Sequence, residues 1–339
     1  MTNPVTGFCI RPFMQRRNER RLIIHQPGGI REEQFVTIGG IEQWVTIRGH
    51  DRSNPVLLIL HGGPGSPYTP FNSWLGEWEH SFTVVQWDQR GSGKTFRKSG
   101  EAGTGPLSFQ KLASDGLELV GYLCAHLGHQ KIVLLGSSAG SFVGLLMIRQ
   151  HPELFYAYVG ANQNGPGGSE ASYALTQEAA ERVGDKKGLV ALRAMGDNKS
   201  TWTYTQCLRM NKIAINASTS VPHMVNDLML PALLFAPDYK MSDIQAVQKG
   251  MEYSAGQLFE EMKTFDFDAL GYHFDIPFFV FQGEEDILTP AATAKAYLAH
   301  IHAPQKAFVP LKGAGHLAEF CNPHQFVQGL VTYVLPQVQ

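Results

Sequence analysis

The chain has 339 residues, of which 43% are hydrophobic and 17% are charged, and its formal net charge is −2. This length and composition can bury a large core, and an α/β protein of this size need not split into independent domains. The small net charge gives no reason to expect nucleic acid or an anionic membrane as a partner. No stretch approaches the roughly 18 consecutive apolar residues of a transmembrane helix.

Cysteine and histidine patterns exclude two further classes of protein. The four cysteines are widely scattered without a C-x-x-C pair, which favours reduced thiols over a disulfide framework. The thirteen histidines are not clustered at metal-ligand spacing, and no H-E-x-x-H motif occurs, so we expect no metal site. The segment Met1–Arg21 carries basic residues but no apolar run of signal-peptide length, and we expect a cytoplasmic protein.

The first predicted elements are a hairpin and a buried strand. The runs 34–38 and 41–47 flank Gly39-Gly40, which is a hairpin signal. The apolar strand Val56–Leu60 follows, and directly behind it stands the segment His61–Gly65, with the sequence HGGPG. Its small and ring-constrained residues let the backbone approach a ligand closely.

The HGGPG segment is a candidate for one half of an oxyanion hole. Gly63 is the expected N–H donor, and the neighbouring Gly62 could replace it. His61 is expected to organise the loop by bonding to the backbone.

The next strand, 82–87, leads into the loop Asp88–Lys94. Arg90 is expected to anchor this loop by hydrogen bonds, with Asp88 as a further supporting residue. The run Gly91–Thr95, GSGKT, resembles the end of a phosphate-binding loop, but that motif requires a glycine where Asp88 stands. We therefore predict no ATP site.

The most informative segment is a G-x-S-x-G pentapeptide at residues 136–140. It follows the apolar run 132–135 and precedes the apolar helical run 142–148, and a helix is predicted upstream over 108–127. A strand, a glycine-bracketed serine and a helix in this order are the context of a nucleophile elbow. Ser138 is then the nucleophile, and Gly136 and Gly140 are required because a Cβ would collide where the backbone reverses. The N–H of Ala139 is the second oxyanion donor.

After a strand over 155–160, the breaker-rich run 162–168 marks a boundary. From Ser169 to about Leu270 the pattern is mostly helical. An insertion at this point lies over the carboxyl ends of the strands and roofs the active site.

A serine nucleophile needs a base and an orienting acid, in the chain order Ser, acid, His. The β-rich run 276–283 is followed by Glu284, Glu285 and Asp286, of which Asp286 is favoured because it lies beyond the turn; a helix-capping role is its alternative. A helix could open at Pro290. The last strand, 306–311, precedes a glycine-rich loop that ends at His316, which is the expected base.

Three of these segments together resemble the signature segments of proline iminopeptidase-like α/β-hydrolases. They are the HGGPG run, the loop Asp88–Lys94 and the run Gly136–Ser141, and the Asp286 and His316 segments complete the pattern. The resemblance covers residues 33–162 and 270–335. It implies an α/β-hydrolase fold, in which helices flank a mostly parallel central sheet and a helical cap interrupts the core.

The resemblance also implies a domain organisation and a chemistry. Residues 1–32 form an N-terminal extension, 33–165 and 271–339 the two parts of the core, and 166–270 the helical cap. Ser138, His316 and Asp286 hydrolyse an amide or ester through an acyl-enzyme, without a cofactor. The expected partner is a small molecule or a short peptide, and the favoured activity is aminopeptidase-like.

Two departures from the family pattern keep a second activity open. True proline iminopeptidases usually carry Trp after the nucleophile, whereas this chain has Ala139, which implies a roomier acyl pocket. Their tryptophan-rich segment with an amine-binding carboxylate has no match. Six glutamates fall in the expected cap, and none can be assigned by motif: Glu170, Glu178, Glu181, Glu252, Glu260 and Glu261. An esterase, lactonase or acyl-amide hydrolase is therefore the alternative, and a non-catalytic ligand-binding homologue is the third reading.

Overall fold

A single eight-stranded sheet organises residues 4–338, which the computed structural model describes. The strands are β1 (Ile30–Ile38), β2 (Ile41–Gly49), β3 (Val56–Leu60), β4 (Thr83–Asp88), β5 (Ile132–Ser137), β6 (Phe155–Ala161), β7 (Phe278–Gly283) and β8 (Lys306–Leu311). Most of the central strands are buried along their whole length, which explains why they are continuous apolar runs rather than alternating ones.

The strand order is β1-β2-β4-β3-β5-β6-β7-β8. The pairs β1–β2 and β2–β4 are antiparallel, and every later pair is parallel. The chain leaves β3 on one side to form β4 and returns on the other side to form β5. Loops that follow β3 and β5 therefore meet at one edge of the sheet, where open α/β sheets bind ligands. The predicted mostly parallel sheet is confirmed.

Helices cover both faces of this sheet. They are α1 (Pro4–Arg21), α2 (Gly93–Thr104), α3 (Phe109–Leu127), α4 (Gly140–Gln150), α5 (Gly168–Arg182), α6 (Lys186–Met195), α7 (Tyr204–Ala217), α8 (Leu230–Phe235), α9 (Met241–Lys263), α10 (Phe267–Leu270), α11 (Ala291–His300), α12 (Ala318–Cys321) and α13 (Pro323–Gly329). Two large apolar clusters result, one on each face. Ser108 caps α3 by accepting a hydrogen bond from Lys111 N, and Pro290 directly precedes α11, as the sequence predicts.

Helices α5 to α10 lie between β6 and β7. They have a small apolar cluster of their own, which includes Tyr173, Leu192 and Trp202. Polar contacts tie them to the core: Lys94 Nζ lies 2.5 Å from Asp238 Oδ2, and Ser254 Oγ donates to Gly91 O over 2.8 Å.

Helix α1 is held against the inserted helices by polar side chains. Arg11 Nε donates to Leu234 O over 2.9 Å, and Asn18 Nδ2 donates to Phe235 O over 3.0 Å. Both acceptors are carbonyls at the end of α8. The first strand begins at Ile30, within the range that the sequence analysis assigns to the N-terminal extension.

Candidate active site

The loop after β3 lies directly against the elbow after β5. Leu60 pairs with Gly136 in the parallel β3–β5 ladder, so both strands end at the same level. A Cβ added to Gly62 would lie 2.7 Å from Ser138 Cβ and 3.2 Å from Ser138 Oγ. The glycine-rich composition of the HGGPG run therefore serves a close approach to the elbow.

Ser138 has a left-handed backbone conformation, with φ of 51°. A non-glycine residue in this region is strained and is typical of a functional site. The flanking glycines permit the turn: a Cβ on Gly140 would lie 2.3 Å from Leu60 O, and one on Gly136 would lie 2.9 Å from Gly140 O. The half-buried Ser138 side chain thus stands at the carboxyl edge of the sheet.

His316 bridges Ser138 and Asp286. Its Nε2 lies 3.0 Å from Ser138 Oγ, and its Nδ1 lies 2.9 Å from Asp286 Oδ2. Because a carboxylate only accepts hydrogen bonds, Nδ1 carries the proton and Nε2 presents its lone pair to the serine hydroxyl. This is the orientation that a general base requires.

The Asp286 carboxylate is held by donors on both oxygens. Oδ1 accepts from the N–H groups of Leu288 and Thr289, each over 2.9 Å. Oδ2 accepts from Thr289 Oγ1 over 2.6 Å and from Gln282 Nε2 over 3.1 Å. The side chain is fully buried, and its donors fix its orientation toward His316.

The two rival carboxylates lie elsewhere. Glu284 and Glu285 are both exposed, and Glu285 accepts a hydrogen bond from Ser220 on the inserted segment. Asp286 is the acidic side chain of this loop that contacts His316.

The pKa of His316 lies above its ordinary value. Burial by itself lowers this pKa, but the charge of Asp286, its hydrogen bond and the charge of Glu319 raise it further than burial lowers it. A base of this kind is protonated, and hence inactive, at acidic pH.

Two backbone N–H groups close to Ser138 in the chain or in the neighbouring loop, those of Ala139 and Gly63, lack an internal acceptor. Among residues 4–338, no hydrogen bond is recorded from the N–H of Gly63 or from that of Ala139. Asn164 Nδ2 donates to Ser138 O over 2.7 Å and so supports the elbow from the side of β6. Free N–H groups at this place are suited to a developing oxyanion.

His61 is neutral and organises its loop. Its Nδ1 donates to Gly62 O over 3.0 Å, and its Nε2 accepts from Gln89 N over 3.3 Å. Burial lowers the pKa of His61 to about 4, although the bond to Gly62 opposes this shift. Both ring nitrogens are thus occupied by the backbone.

Arg90 anchors the loop after β4. It donates to Asp115 Oδ2 over 2.7 Å, to Gly39 O over 2.7 Å and to Thr104 O over 3.1 Å. The guanidinium is buried and donates to three different segments of the core, so its position accords with a supporting role.

Asp88 and Lys94 join the core to the inserted helices. Asp88 accepts from Thr69 Oγ1 and from Lys94 N, each over 2.7 Å, and burial raises the pKa of Asp88 to about 7. The Lys94 ammonium is engaged by Asp238 and lies 4.3 Å from the Trp44 ring centre. A lysine held in this way is not presented to a phosphate.

The cavity described beside Ala139 is smaller than the roomier pocket that the sequence predicts. The cavity that Ala139 lines has a volume of about 10 Å³, which is close to the lower limit for one water molecule. Phe109, Val143 and Leu258 line the same space, so neighbouring apolar groups occupy the volume that a larger side chain would take.

A larger cavity of about 400 Å³ lies between the loops after β6 and β7 and the end of α9. Asn164 and Thr289, which support Ser138 and Asp286, form part of its wall. Lys199 and Glu170 contribute charges of both signs.

Of the six glutamates in the insertion, Glu170 lines this cavity. Glu261 accepts from Phe109 N over 2.9 Å, and Glu260 pairs with Lys263. The remaining three, Glu178, Glu181 and Glu252, are exposed.

Comparison with known proteins identifies the family. The model of the alpha/beta hydrolase fold family matches residues 55–323. The chain belongs to the α/β-hydrolase family. The predicted family and fold class are thereby confirmed.

Relatives of this α/β-hydrolase include both peptidase-like and esterase proteins. A probable aminopeptidase of Bacillus subtilis is 27% identical over 305 residues, which are 87% of this chain and 93% of the relative. A proline iminopeptidase-related protein of Thermus thermophilus has a TM-score of 0.60 at 19% identity, covering 91% of this chain and 100% of its own. A thermophilic esterase of Thermogutta terrifontis has a TM-score of 0.56 at 22% identity, with the same coverage. The predicted resemblance to proline iminopeptidase-like hydrolases is confirmed.

The described residues of the α/β-hydrolase offer neither a metal-binding cluster nor a membrane-spanning helix. No group of three or more His, Cys, Asp or Glu side chains could hold a metal ion there. No helix in that part of the chain is both long and apolar enough to cross a membrane.

Three residues around the elbow are not predicted by the sequence reasoning. Asn162 and Asn164 stand in the run that is interpreted only as a domain boundary, yet their side chains bond to the elbow. Glu319, three residues after His316, carries no motif that could have singled it out. Asn is, however, tolerated in the left-handed conformation that Asn162 adopts, with φ of 48°, which is a weak local signal.

Proposed function

We propose that this α/β-hydrolase cleaves acyl bonds in two steps through Ser138, His316 and Asp286. His316 Nε2 takes the Ser138 proton as Ser138 Oγ attacks the carbonyl carbon. The contact that carries the proposal is the 3.0 Å approach of His316 Nε2 to Ser138 Oγ. His316 then gives this proton to the leaving amine or alcohol, and water attacks the acyl-enzyme with the same imidazole as base. The bond between Ser138 Oγ and the acyl carbon then breaks, the acid leaves, and His316 returns the proton to Ser138 Oγ.

The N–H groups of Gly63 and Ala139 stabilise the oxyanion in each step. Their lack of an internal acceptor supports this role. Asp286 keeps the proton on Nδ1 of His316 and balances the imidazolium charge. The N–H groups of Leu288 and Thr289 hold the carboxylate in place for this role.

The proposed substrates are short peptides or amino-acid amides, with proline preferred at the amino end. The probable aminopeptidase among the relatives supports this choice, as does the resemblance of the three signature segments. Glu170, an exposed carboxylate in the wall of the 400 Å³ cavity, is the candidate amine ligand. Ser138 and His316 do not line this cavity, but Asn164 and Thr289 in its wall contact Ser138 and Asp286.

The second candidate is an esterase, lactonase or acyl-amide hydrolase for a small apolar metabolite. It stays a candidate because Ala139 departs from the family pattern and because five of the six insertion glutamates lie away from the cavity. A non-catalytic binding protein is disfavoured by the intact hydrogen-bonded contacts among Ser138, His316 and Asp286.

We expect proline p-nitroanilide to be hydrolysed with a higher kcat/KM than its N-acetylated form or a medium-chain acyl ester. A recognised ammonium group contributes a charge-assisted hydrogen bond of about 1.5–3 kcal/mol, which corresponds to roughly 10- to 100-fold. The measurement is kcat/KM for the three substrates at one pH. If acetylation left kcat/KM unchanged, or if only the ester were hydrolysed, the second candidate, an esterase, lactonase or acyl-amide hydrolase, would be favoured.

Replacing Glu170 with Gln should raise KM for proline p-nitroanilide roughly tenfold and leave kcat nearly unchanged. The reason is that the amine contact would be lost to the same extent in the ground state and in the transition state. The N-acetylated substrate should not respond. Glu178→Gln is the matched control, since Glu178 is an exposed residue of the same helix α5. Equal KM changes for both substrates would show that the amine is not bound at Glu170.

A further inference from the structure

A buried carboxylate that the acyl transfer does not use lies behind the elbow. Glu319 is 1% exposed and belongs to the short helix α12, three residues after His316. Its Oε1 accepts from Ser137 Oγ over 2.6 Å, and its Oε2 accepts from Asn162 Nδ2 over 2.7 Å. Ser137 immediately precedes the nucleophile, so Glu319 ties the histidine loop to the ends of β5 and β6.

The hydrogen bonds around Glu319 all point toward its oxygens. Asn162 Nδ2 is a donor only, and it also donates to Ser137 Oγ over 3.0 Å. Ser137 has one proton, which it gives to Glu319. Tyr68 OH, 2.9 Å from Ser137 Oγ, is then the donor to Ser137. Both hydrogen bonds that end on Glu319 are thus donated to its oxygens, and this arrangement suits the ionised carboxylate.

No basic partner neutralises this charge. Among the described residues, no Lys or Arg forms an ion pair with Glu319. Burial raises the pKa of Glu319, against the hydrogen bonds from Ser137 and Asn162 and the charge of His316, which lower it. The titratable groups that face it are His316 and Cys321 on its own loop and Tyr68 from the core. Asp286 faces His316 from the loop after β7. The only group in this set that becomes a cation is His316.

We propose that Glu319 is an ionised positioning residue whose charge stabilises the imidazolium of His316 while its hydrogen bonds hold the elbow at Ser137. This inference rests on the proposed role of His316 as general base. The proton that leaves Ser138 moves to His316 Nε2 and later to the leaving group, and Glu319 exchanges no proton in either step. In this proposal two carboxylates act on one transient cation: Asp286 through its hydrogen bond to His316 Nδ1, and Glu319 through its charge alone.

The direction of the test follows from the base role. His316 must be neutral to accept the serine proton, so activity is lost as pH falls through its pKa. The charge of Glu319 helps to raise this pKa. Replacing Glu319 with Gln should therefore move the acidic limb of kcat/KM to lower pH by roughly half a unit or more, the size expected for removal of one charge in a desolvated site. At the optimum, kcat should fall several-fold.

Tyr68→Phe is the matched control, because it removes the outer hydroxyl of the same network and keeps the Glu319 charge. Its acidic limb should stay at the wild-type position. A limb that does not move in folded Glu319→Gln protein, or that moves equally in Tyr68→Phe, would overturn the electrostatic role.

A second readout does not depend on turnover. The His316 imidazole can be titrated by NMR in Ser138→Ala protein with and without Glu319→Gln, and the charge of Glu319 should raise the midpoint whether or not any substrate is hydrolysed. Failure of the proposed hydrolase activity is thus distinguishable from failure of this inference. Should the Gln variant not fold, the wild-type Glu319 carboxyl resonance must show the ionised form at neutral pH, and a protonated Glu319 would overturn the proposal.

Discussion

Ser138→Ala should lower kcat by roughly 10⁴- to 10⁶-fold, the range seen when the nucleophile of a hydrogen-bonded triad is removed. The substitution takes away the hydroxyl that lies 3.0 Å from His316 Nε2. The side chain is half-buried and its Oγ has His316 as its recorded partner, so the loss of stability should be small. Substrate binding should persist, since the oxyanion N–H groups are unaltered.

Ser141→Ala is the matched control for this prediction. Its hydroxyl donates to Ser138 O over 2.7 Å, so it belongs to the same turn but offers no nucleophile. Its rate should stay within roughly tenfold of wild type, in line with the loss of one hydrogen bond. A serine-directed fluorophosphonate should label wild type and Ser141→Ala but not Ser138→Ala. Wild-type rates in Ser138→Ala would reject the elbow assignment, and absence of labelling in all three would favour a binding protein.

Short-range signals made much of the fold predictable. The strands β3 and β8 begin and end where the apolar runs do, and the predicted hairpin is present with longer strands. Ser138 stood out because two glycines and a buried strand within nine residues are all local features. His316 and Asp286 could be proposed because each follows a strand whose end lies at the same edge of a parallel sheet.

Contacts between distant segments were not predictable from such signals. Helix α1 has no apolar stripe from which a helix could be predicted. It is held instead by hydrogen bonds from Arg11 and Asn18 to backbone carbonyls of α8, more than 200 residues away in the sequence. The volume beside Ala139 depends on Leu258 of α9, which no pattern near residue 139 reveals. Glu319 could not be singled out, because its hydrogen-bond partners, Ser137 and Asn162, lie at the ends of two strands that are distant in the sequence.

Asp286→Asn should lower kcat by roughly 10⁴-fold, the loss typical when the orienting carboxylate of a triad becomes an amide. The present carboxylate accepts from His316 Nδ1 over 2.9 Å and so keeps the proton on that nitrogen. An amide nitrogen in place of Oδ2 would donate instead, and the imidazole would carry its proton on Nε2. His316 would then donate to Ser138 rather than accept from it, and the base would be lost. Thr289 Oγ1 and Gln282 Nε2 would also face a donor, so some stability should be lost as well.

The controls separate this loss of the base from unfolding and from a general loss of charge. Glu284→Gln and Glu285→Gln remove a negative charge from the same loop at exposed positions, and both should keep kcat within about twofold of wild type, as surface substitutions usually do. The folded fraction of Asp286→Asn, measured by circular dichroism, corrects its rate. If Glu285→Gln lost activity while Asp286→Asn kept it, the orienting acid would be Glu285, and the hydrogen bonds that Asp286 accepts from Leu288 and Thr289 would then serve only to cap the turn before α11.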